Sequence, residues 1–340
     1  MRLAHIAPPW IPVPPVTYGG TELMVDLLVR GLRQRRLEVL VFCSGDSGLA
    51  PPTAGPFPRS FWPPEKFSEN LHLAYAWRFL QHHPAALVHS HLENAAGFWH
   101  ALAARQPLVI TLHTPITESK RDYLLQFPQV HLVAVSDFQR RRLAGHPRRH
   151  LIPHGLEVAA YRHNYQKEDY FLFLGRIYPE KGLHTAIRLA QETGSRLVCA
   201  GPVFAPDRPY FDREIAPHLD GSRIIYVGPA YFAKKIALLG GARALLLPLE
   251  VDEAFGLVML EAMASGTPVI AADRGAAPEV IVAGETGFIA RSPAEFKAAI
   301  RAVADLDPEA CRRHVAQNFS AAAMVEAYLR LYREVLEAEP

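Results

Sequence analysis

The chain has 340 residues, of which 49% are apolar and 21% charged, and its formal net charge is +2. This composition is typical of a soluble α/β protein of about two domains, and the weak charge argues against a nucleic-acid-binding protein. The three cysteines, Cys43, Cys199 and Cys311, are too far apart in the sequence to indicate a disulfide framework or a zinc site.

No segment stays apolar for the roughly 18 residues that a membrane-spanning helix needs. The N-terminal apolar stretch is short and is interrupted by Pro8 and Pro9, so it does not have the pattern of a signal peptide. We therefore expect a cytoplasmic protein.

Apolar strands alternate with amphipathic helices along the first half of the chain. The predicted strands occupy residues 3–7, 38–42, 86–90, 108–112 and 131–135. The clearest helical pattern follows the first strand and places on one face Met24, Leu27, Leu28, Gly31 and Leu32. Alternation of this kind predicts a parallel, doubly wound sheet.

A polar segment at residues 162–169 interrupts the apolar periodicity, and a second alternating series follows it. The predicted strands are 170–174, 196–200, 223–227, 244–247 and 268–272, and the predicted helices are 183–193, 232–239, 256–265, 293–304 and 321–336. We therefore predict an α/β chain of two Rossmann-like, doubly wound domains, residues 1–155 and 156–320, with a cleft between them. Residues 321–340 would contribute a C-terminal helix.

The stretch from Leu249 to Phe288 carries the strongest functional pattern. An apolar strand leads into an acidic turn that contains Glu253, and Gly256 then begins a helix. The start of a helix presents unpaired backbone N–H groups and the positive end of the helix dipole, which favour an anion. Glu261 lies among apolar neighbours in that helix, where a carboxylate needs partners such as ribose hydroxyls. An acid/base pair and ordinary surface carboxylates are the alternatives for the two glutamates.

In each half of the chain, a further candidate loop follows the first predicted strand. Gly19 and Gly20 open a helix and would let a phosphate approach the backbone, although a plain tight turn explains a glycine pair equally well. Arg176 and Lys181 follow the first strand of the second half, at the sheet edge where open α/β folds bind ligands. Their charges suit a diphosphate. Taken alone they would more simply be solvated surface cations, but the acidic turn in the same half reverses that preference.

Several histidines fall at the carboxyl ends of predicted strands of the first half, and His113 is favoured over His89 and His91 because it follows a strongly apolar strand. No metal site is predicted, because the two glutamates have no third ligand at metal-binding spacing. Asp305 and Asp307 match a D-x-D pattern, but they stand just before a proline, where aspartate commonly caps a helix.

A basic cluster follows the fifth predicted strand. It is most simply a solvated helix face, and contact with an anionic membrane surface or a charged acceptor is the alternative. Its members are Arg140, Arg141, Arg142, Arg148 and Arg149.

Taken together, these motifs resemble the retaining glycosyltransferases of family 4, which have the GT-B fold. The resemblance extends over nearly the whole chain. Its most specific part runs from Glu253 to Glu261 and is similar to that family's E-x7-E motif. The loop from Arg176 to Lys181 is similar to the family's diphosphate-binding loop. One departure is the segment that begins at His154, where family members often have Asn-Gly-Val-Asp.

The first half carries two further points of likeness. Gly19 and Gly20 match the family's N-terminal glycine loop, and the segment around His113 is similar to the one whose histidine approaches the transferred sugar. The resemblance implies that the second domain binds a nucleotide-diphosphate sugar and that the first binds the acceptor. It also implies that the C-terminal helix, in residues 321–340, crosses back to the first domain.

The resemblance also implies a role for each candidate residue. Arg176 and Lys181 would neutralise the leaving diphosphate, Glu253 would bind hydroxyls of the sugar, Glu261 would bind the ribose, and His113 would orient the sugar. Backbone N–H groups at the helix start would bind the donor; they belong to Phe255, Gly256 and Leu257. No cofactor and no metal would be required.

We therefore predict a retaining hexosyltransferase that uses a UDP-sugar, with UDP-glucose favoured, and an acceptor that the sequence does not identify. Two alternatives remain open: a UDP-sugar epimerase of the same fold and a non-catalytic subunit that binds a sugar nucleotide. The sequence does not indicate whether the protein is a monomer or a dimer, and a weak peripheral contact with membranes is compatible with the basic cluster.

Overall fold

The computed structural model describes residues 2–164 and 166–338, and it divides the chain into two compact units. The first unit comprises the described residues up to Gly155 together with those from Ala321 onward, and the second is Leu156–Ser320. Four residues of the predicted domains and C-terminal helix lie outside the described residues: Met1, Tyr165, Glu339 and Pro340.

The first unit is built on a parallel sheet of seven strands. The strand order is β3-β2-β1-β4-β5-β6-β7, so the winding direction changes between β1 and β4. Ligands of open α/β sheets bind outside the carboxyl ends of the strands at such a switch point. The strands are β1 (Arg2–Ile6), β2 (Glu38–Phe42), β3 (Thr53–Ala54), β4 (Leu87–Ser90), β5 (Leu108–Leu112), β6 (His131–Ala134) and β7 (Arg149–Leu151).

Five helices lie between these strands. The first of them buries Met24, Leu28 and Leu32, which confirms the predicted apolar face. The helices are α1 (Gly20–Gln34), α2 (Ser68–His82), α3 (Ala95–Ala101), α4 (Glu118–Leu124) and α5 (Asp137–Arg142).

The second unit contains a parallel sheet of six strands in the order β10-β9-β8-β11-β12-β13, with its switch point between β8 and β11. The strands are β8 (Phe171–Leu174), β9 (Leu197–Ala200), β10 (Ile224–Tyr226), β11 (Ala244–Leu247), β12 (Val269–Ala272) and β13 (Gly287–Ala290). The helices are α6 (Leu183–Thr193), α7 (Arg208–Tyr210), α8 (Phe232–Gly241), α9 (Leu257–Ala264), α10 (Ala277–Val280), α11 (Pro293–Ala302) and α12 (Pro308–Asn318).

The last helix, α13 (Ala321–Ala338), belongs to the first unit and packs against α1. Its Glu326 carboxylate lies 2.6 Å from the Arg35 guanidinium. Two buried tyrosine hydroxyls of α13 reach the sheet: Tyr328 bonds Thr111 at 2.8 Å and Tyr332 bonds His89 Nδ1 at 2.6 Å. Helix α13 is therefore anchored to β4, which flanks the switch point of the first sheet, and to its neighbour β5.

The strands of both sheets are buried on both faces, apart from the edges, which explains why they read as continuous apolar runs in the sequence. Among the helices described, none combines the length and the apolar character that crossing a membrane requires.

The sequence patterns missed three short strands, β3, β7 and β13, and three helices of the second unit, α7, α10 and α12. Strand β7 contains Arg149 and His150 and lies at the edge of its sheet, so it lacks an apolar run. The capping prediction for Asp307 is confirmed, because its carboxylate accepts a hydrogen bond of 2.9 Å from the backbone N–H of Glu309 at the start of α12.

Candidate functional site

Two loops of the second unit leave neighbouring strands at its switch point. The loop after β8 contains Arg176 and Lys181, and the turn after β11 contains Glu253. The backbone joins the two loops directly, because the N–H of Glu250 donates to the carbonyl oxygen of Glu180 at 2.9 Å. The carboxyl ends of two adjacent parallel strands therefore form one continuous edge, where the family resemblance expects the donor.

Gly182 allows this close approach. Its φ is +75°, and a Cβ atom at this position would lie 2.0 Å from the carbonyl oxygen of Pro248 in the neighbouring loop. No side chain larger than hydrogen fits there without moving one of the two backbones. The two loops can therefore pack together only if residue 182, at the end of the Arg176–Lys181 loop, is a glycine.

Lys181 and Glu253 form an ion pair in which the lysine ammonium donates to Glu253 Oε2. Both side chains are about four-fifths buried, with 21% and 18% of their side-chain surface exposed. A partly buried pair is screened less by water than a surface pair, so each charge holds the other in place. The cation and the carboxylate that the sequence assigned to the diphosphate and the sugar therefore lie side by side.

Arg176 has a different set of contacts. Its Nε donates to the carboxylate of Asp207 at 2.8 Å, and its guanidinium lies over the rings of Tyr178 and Phe204, with 4.7 and 5.2 Å to the ring centroids. Two aromatic faces and one acid hold the planar cation in a fixed orientation. The alternative of a freely solvated surface arginine does not describe this side chain.

The start of α9 follows the Glu253 turn. Gly256 is the N-cap residue with φ +85°, and a Cβ there would lie 2.3 Å from the Met259 methyl carbon. The backbone N–H groups in the first turn of a helix have no partner within it, which makes the segment Phe255, Gly256 and Leu257 suited to an anion. The ring of Phe255 is buried against Phe319, so this residue can offer a ligand its backbone only.

Glu261 is buried in α9 and has partners within the protein. Its Oε1 accepts hydrogen bonds from the Tyr161 hydroxyl at 2.9 Å and from the Lys235 ammonium at 2.5 Å. The argument that a buried carboxylate here needs ribose hydroxyls is therefore weaker than the sequence suggested, because the chain itself supplies donors. The carboxylate also raises the pKa of Tyr161 above its ordinary value, after the larger effect of burial.

The first unit holds the remaining predicted residues. Gly19 is the N-cap of α1 and Gly20 its first residue, after β1 at the switch point of the sheet. Glu22, in the first turn, is buried, and burial raises its pKa to about 7. A carboxyl group that titrates near neutral pH beside the glycine loop was not foreseen from the sequence.

His113 follows β5 and is held from two sides. Its Nε2 lies 2.9 Å from His91 Nδ1, and its ring stacks on that of His154 with 5.1 Å between ring centroids. Gln139, in α5, donates to the carbonyl oxygens of Leu112 at 3.0 Å and of Thr114 at 2.9 Å, the residues on either side of His113. The ring and its backbone are both fixed.

A group of buried imidazoles lies behind His113 in the same sheet. Nitrogen atoms of His5, His89 and His91 lie within 4.8 Å of one another, which is a ligand set that zinc-type metals use. Both ring nitrogens of His89 already form hydrogen bonds, to the hydroxyls of Tyr332 and Thr111 at 2.6 and 2.7 Å. These bonds account for His89 as a structural residue, and the absence of a required metal stays a prediction.

The structure therefore brings Lys181, Glu253 and the start of α9 together at one sheet edge of the second unit. It gives Arg176 and Glu261 protein partners that the sequence did not reveal. Gly19, Gly20 and His113 belong to the first unit. The residues that sequence reasoning missed are four of the partners, Asp207, Tyr161, Lys235 and Gln139, whereas His91 was a candidate ranked below His113. Each of the four is far from its partner along the chain, and no local pattern marks it.

Two family models match the chain, one to each half. "Glycosyltransferase Family 4" matches residues 18–160, and "Glycosyl transferases group 1" matches residues 160–319. Together the two models leave only the ends of the chain unmatched.

Individual proteins give the same indication. The D-inositol 3-phosphate glycosyltransferase of Corynebacterium efficiens is 32% identical over 183 residues, which are 49% of this chain and 43% of the relative. The match thus spans less than half the length of that relative. The O-antigen chain mannosyltransferase C of Escherichia coli is 25% identical over the full length of both chains. Among solved structures, HepE from Anabaena in complex with UDP and glucose superposes with a TM-score of 0.79 at 17% identity, covering 98% of this chain and 100% of HepE.

Proposed function

We propose, from the premise that this chain belongs to glycosyltransferase family 4 and has the GT-B fold, that it transfers a hexose from a nucleotide-diphosphate sugar to an acceptor with retention of configuration. UDP-glucose is the first donor to test, because HepE, which shares the fold, was solved with UDP and glucose. The likeness to a mannosyltransferase makes an activated mannose the first competitor.

The observation that carries the proposal is the pairing of Lys181 with Glu253 beside the start of α9. A diphosphate placed there would meet a lysine ammonium and the N-terminal N–H groups of a helix, which are the two kinds of group that phosphates bind most often. Glu253 would accept hydrogen bonds from sugar hydroxyls. If a bound donor separates the Lys181–Glu253 pair, the Lys181 ammonium would bind the negatively charged diphosphate, and the Glu253 carboxylate would accept hydrogen bonds from the sugar hydroxyls.

Arg176 and Glu261 complete the proposed donor site. Arg176, held by Asp207 and two rings, would stabilise the negative charge that grows on the departing diphosphate. Both hydrogen bonds to Glu261 involve Oε1, so Oε2 is the oxygen that would accept from a ribose hydroxyl. Tyr161 and Lys235 then act as its orienting partners.

The first unit would supply the glycine loop at Gly19 and Gly20 for phosphate or acceptor, and His113 to orient the sugar. In the proposed reaction the bond between the anomeric carbon and the diphosphate oxygen breaks, and a bond to the acceptor oxygen forms on the same face. The proton of the acceptor hydroxyl leaves with the diphosphate. The residues of this chain would bind, orient and stabilise charge, and no protein nucleophile is required.

A panel of UDP-, GDP- and ADP-sugars tests the proposal, with melting temperature as the readout of binding and mass spectrometry as the readout of transfer or donor hydrolysis. We expect one nucleotide sugar to stabilise the protein and Lys181→Met to abolish that stabilisation. Lys297→Met is the matched control, because Lys297 is a lysine of the same unit whose ion pair with Glu192 lies near the surface. No stabilisation and no turnover with any member of the panel would refute the proposal.

The same panel separates the two alternatives. An epimerase would change the configuration of the donor sugar, which NMR of the products detects, whereas a retaining transferase keeps the anomeric configuration in its product. A non-catalytic subunit would bind a donor and show no turnover that Glu253→Ala or Lys181→Ala removes.

Weak peripheral contact with anionic membranes stays a prediction. In the basic cluster, Arg140 and Arg141 both pair with the carboxylate of Asp137, and Arg142 lies over the ring of Phe138, which supports the solvated-face interpretation. Binding to anionic liposomes that is unchanged when the cluster loses its charges would end the membrane alternative. The cytoplasmic location is likewise a prediction from the sequence.

A further inference from the structure

The carboxyl edge of the first sheet, where open α/β folds bind ligands, has an ion pair of its own. The Glu93 carboxylate, after β4, accepts hydrogen bonds of 2.8 Å through Oε1 from the Lys120 ammonium and from the Thr114 hydroxyl. Lys120 lies in α4 and also donates to Thr114, which follows β5. Because 18% of the Lys120 side chain and 25% of the Glu93 side chain are exposed, a ligand can reach this pair. The network joins the loops after two neighbouring strands, beside the switch point.

Glu93 keeps one oxygen atom for a ligand. Both hydrogen bonds that it accepts go to Oε1, and among the described residues Oε2 has no hydrogen-bond partner. A second carboxyl group, that of Glu69 in α2, lies close to it, because the negative charge of Glu93 adds to the effect of burial in raising the pKa of Glu69. An ionised carboxylate accepts hydrogen bonds and donates none, so the ligand groups that suit this place are donors such as hydroxyls.

Positive charge is scarce at the same edge. Neither lysine nor arginine occurs in the loops that follow β1, β4 and β5, which are residues 7–19, 91–94 and 113–117. In the adjoining helix α4, Lys120 is paired with Glu93. The next residue, Arg121, pairs with Asp122 at 3.0 Å. His113 adds no charge near pH 7, because burial lowers its pKa to about 3. Phosphate sites depend on arginine and lysine, so these loops are poorly suited to a phosphorylated ligand.

A further acid lies on the other side of the switch point, after β1. Glu22, in the first turn of α1, is only 4% exposed, and a Cβ atom on Gly19 would lie 2.7 Å from its Oε2. In the part of the chain that the structure describes, its carboxylate has no hydrogen-bond partner except its own backbone N–H. A buried carboxyl group beside the glycine loop repels a phosphate when it is ionised, and it can bond a hydroxyl in either protonation state. The glycine loop therefore favours a hydroxyl over a phosphate.

We propose that the acceptor is an unphosphorylated, hydroxyl-rich molecule, a sugar or polyol, and that Glu93 binds one of its hydroxyls through Oε2. The inference rests on the proposed function for the existence of an acceptor, whereas the exclusion of phosphate from this edge does not. Lys120 and Thr114 are positioning residues, because they hold Oε1 and thereby fix the direction of Oε2. Glu22 supplies a second carboxyl group for hydroxyls on the other side of the switch point.

Inorganic phosphate tests the exclusion of anions without any donor or acceptor. Phosphate is titrated to millimolar concentration into the full chain, and the backbone amide signals of residues 91–94 and 113–114 are followed by ¹H–¹⁵N NMR. We expect no shift of these signals in the wild type. Glu93→Gln keeps the size of the side chain but leaves the Lys120 ammonium without an anionic partner, so the same signals should shift. Glu118→Gln, an exposed position in the same helix as Lys120, is the matched control and should behave as the wild type. Shifts in the wild type as large as those in Glu93→Gln overturn the inference, and so does the absence of shifts in Glu93→Gln.

Matched acceptors supply the second readout. Glucose, mannose and galactose are each paired with the phosphate ester at the primary hydroxyl, and transfer from the nucleotide sugar that stabilises the wild type is measured by mass spectrometry. We expect transfer to the unphosphorylated member of a pair to be at least about tenfold faster, and the acceptor KM to rise about tenfold in Glu93→Ala but not in Glu118→Gln. Faster transfer to a phosphorylated member, or an unchanged acceptor KM in Glu93→Ala, overturns the inference. If no member of the panel accepts a sugar, the phosphate titration decides. A wild type that binds no nucleotide sugar refutes the proposed function instead.

Discussion

Lys181 donates a hydrogen bond to Glu253, and this pair joins the loop after β8 to the turn after β11 across the switch point of the second sheet. The two residues are 72 positions apart in the sequence. Because the same residues are proposed to bind the diphosphate and the sugar, their structural role and their ligand role must be separated by experiment.

Exchanging the two charges achieves that separation. Lys181→Glu alone places two carboxylates together and should lower the free energy of unfolding by about 1–2 kcal/mol. The double variant Lys181→Glu with Glu253→Lys restores an ion pair and should recover most of that loss in urea unfolding. It should not recover donor binding, because the positive charge no longer stands where the diphosphate binds. A double variant that binds the donor like the wild type would contradict the assigned roles.

Gly182→Ala tests the close approach of the two loops. The added Cβ would meet the carbonyl oxygen of Pro248, and φ at this position is positive, so we expect a loss of at least about 2 kcal/mol in urea unfolding. Gly194→Ala is the matched control, because Gly194 has φ +68° at the other end of α6 and open space around its Cβ position. It should lose about 1 kcal/mol, the cost of the backbone conformation alone. Equal losses in the two variants would show that the contact with Pro248 does not matter.

Gln139 is expected to be a stability determinant of the His113 segment. Its buried amide serves three backbone groups, the carbonyls of Leu112 and Thr114 and the N–H of Val135. Gln139→Leu keeps the volume and leaves these groups unpaired, so we expect a loss of about 2–4 kcal/mol and faster hydrogen exchange around residue 113. Gln191→Leu, on the exposed side of α6, should change neither quantity. A hydrogen-exchange rate around residue 113 that is the same in Gln139→Leu as in the wild type would show that Gln139 does not hold this segment in place.

Glu22 should make stability fall as the pH rises from about 4.5 to about 7. Burial raises the pKa of its carboxyl group from 4.5 to about 7, so in this window the folded protein retains a proton that the unfolded chain has released. The free energy of unfolding then decreases with pH, by up to about 3 kcal/mol from this one group. The buried histidines have lowered pKa values and act in the opposite direction, so the quantity to measure is the difference between wild type and Glu22→Gln.

That difference should change steadily through the window in chemical unfolding at a series of pH values. The exposed Glu65, changed to Gln, serves as the control and should follow the wild-type curve. A difference that does not vary with pH would mean that Glu22 is ionised in the folded protein throughout.

Much of the fold follows from local patterns. The helix predicted at 183–193 has those bounds in the structure, and the apolar runs of both halves became the central strands of two sheets. Strand β7 and helix α12 escaped prediction because neither has a regular apolar pattern: β7 is a largely exposed strand at a sheet edge, and α12 is mainly polar.

The sequence predicts that the candidate residues lie at the carboxyl edge of a sheet, but it does not predict which side chains contact each other. Periodicity placed Lys181 and Glu253 at the ends of strands, but only the strand order makes those strands neighbours. Tyr161 reaches Glu261 across 100 residues of sequence, and His91 contacts His113 because β4 and β5 are paired neighbours, so the sequence spacing identifies neither pair. Tertiary packing decides such partners.

Equilibrium binding of UDP-glucose, measured by melting temperature and followed by mass spectrometry of the products, tests the central claim most directly. At a concentration 100 times Kd the donor should stabilise the wild type by about 2.7 kcal/mol and yield a transferred or hydrolysed hexose, while Lys181→Met shows neither. The absence of both effects with UDP-glucose and with every other nucleotide sugar, in a wild-type protein that is folded, would contradict it.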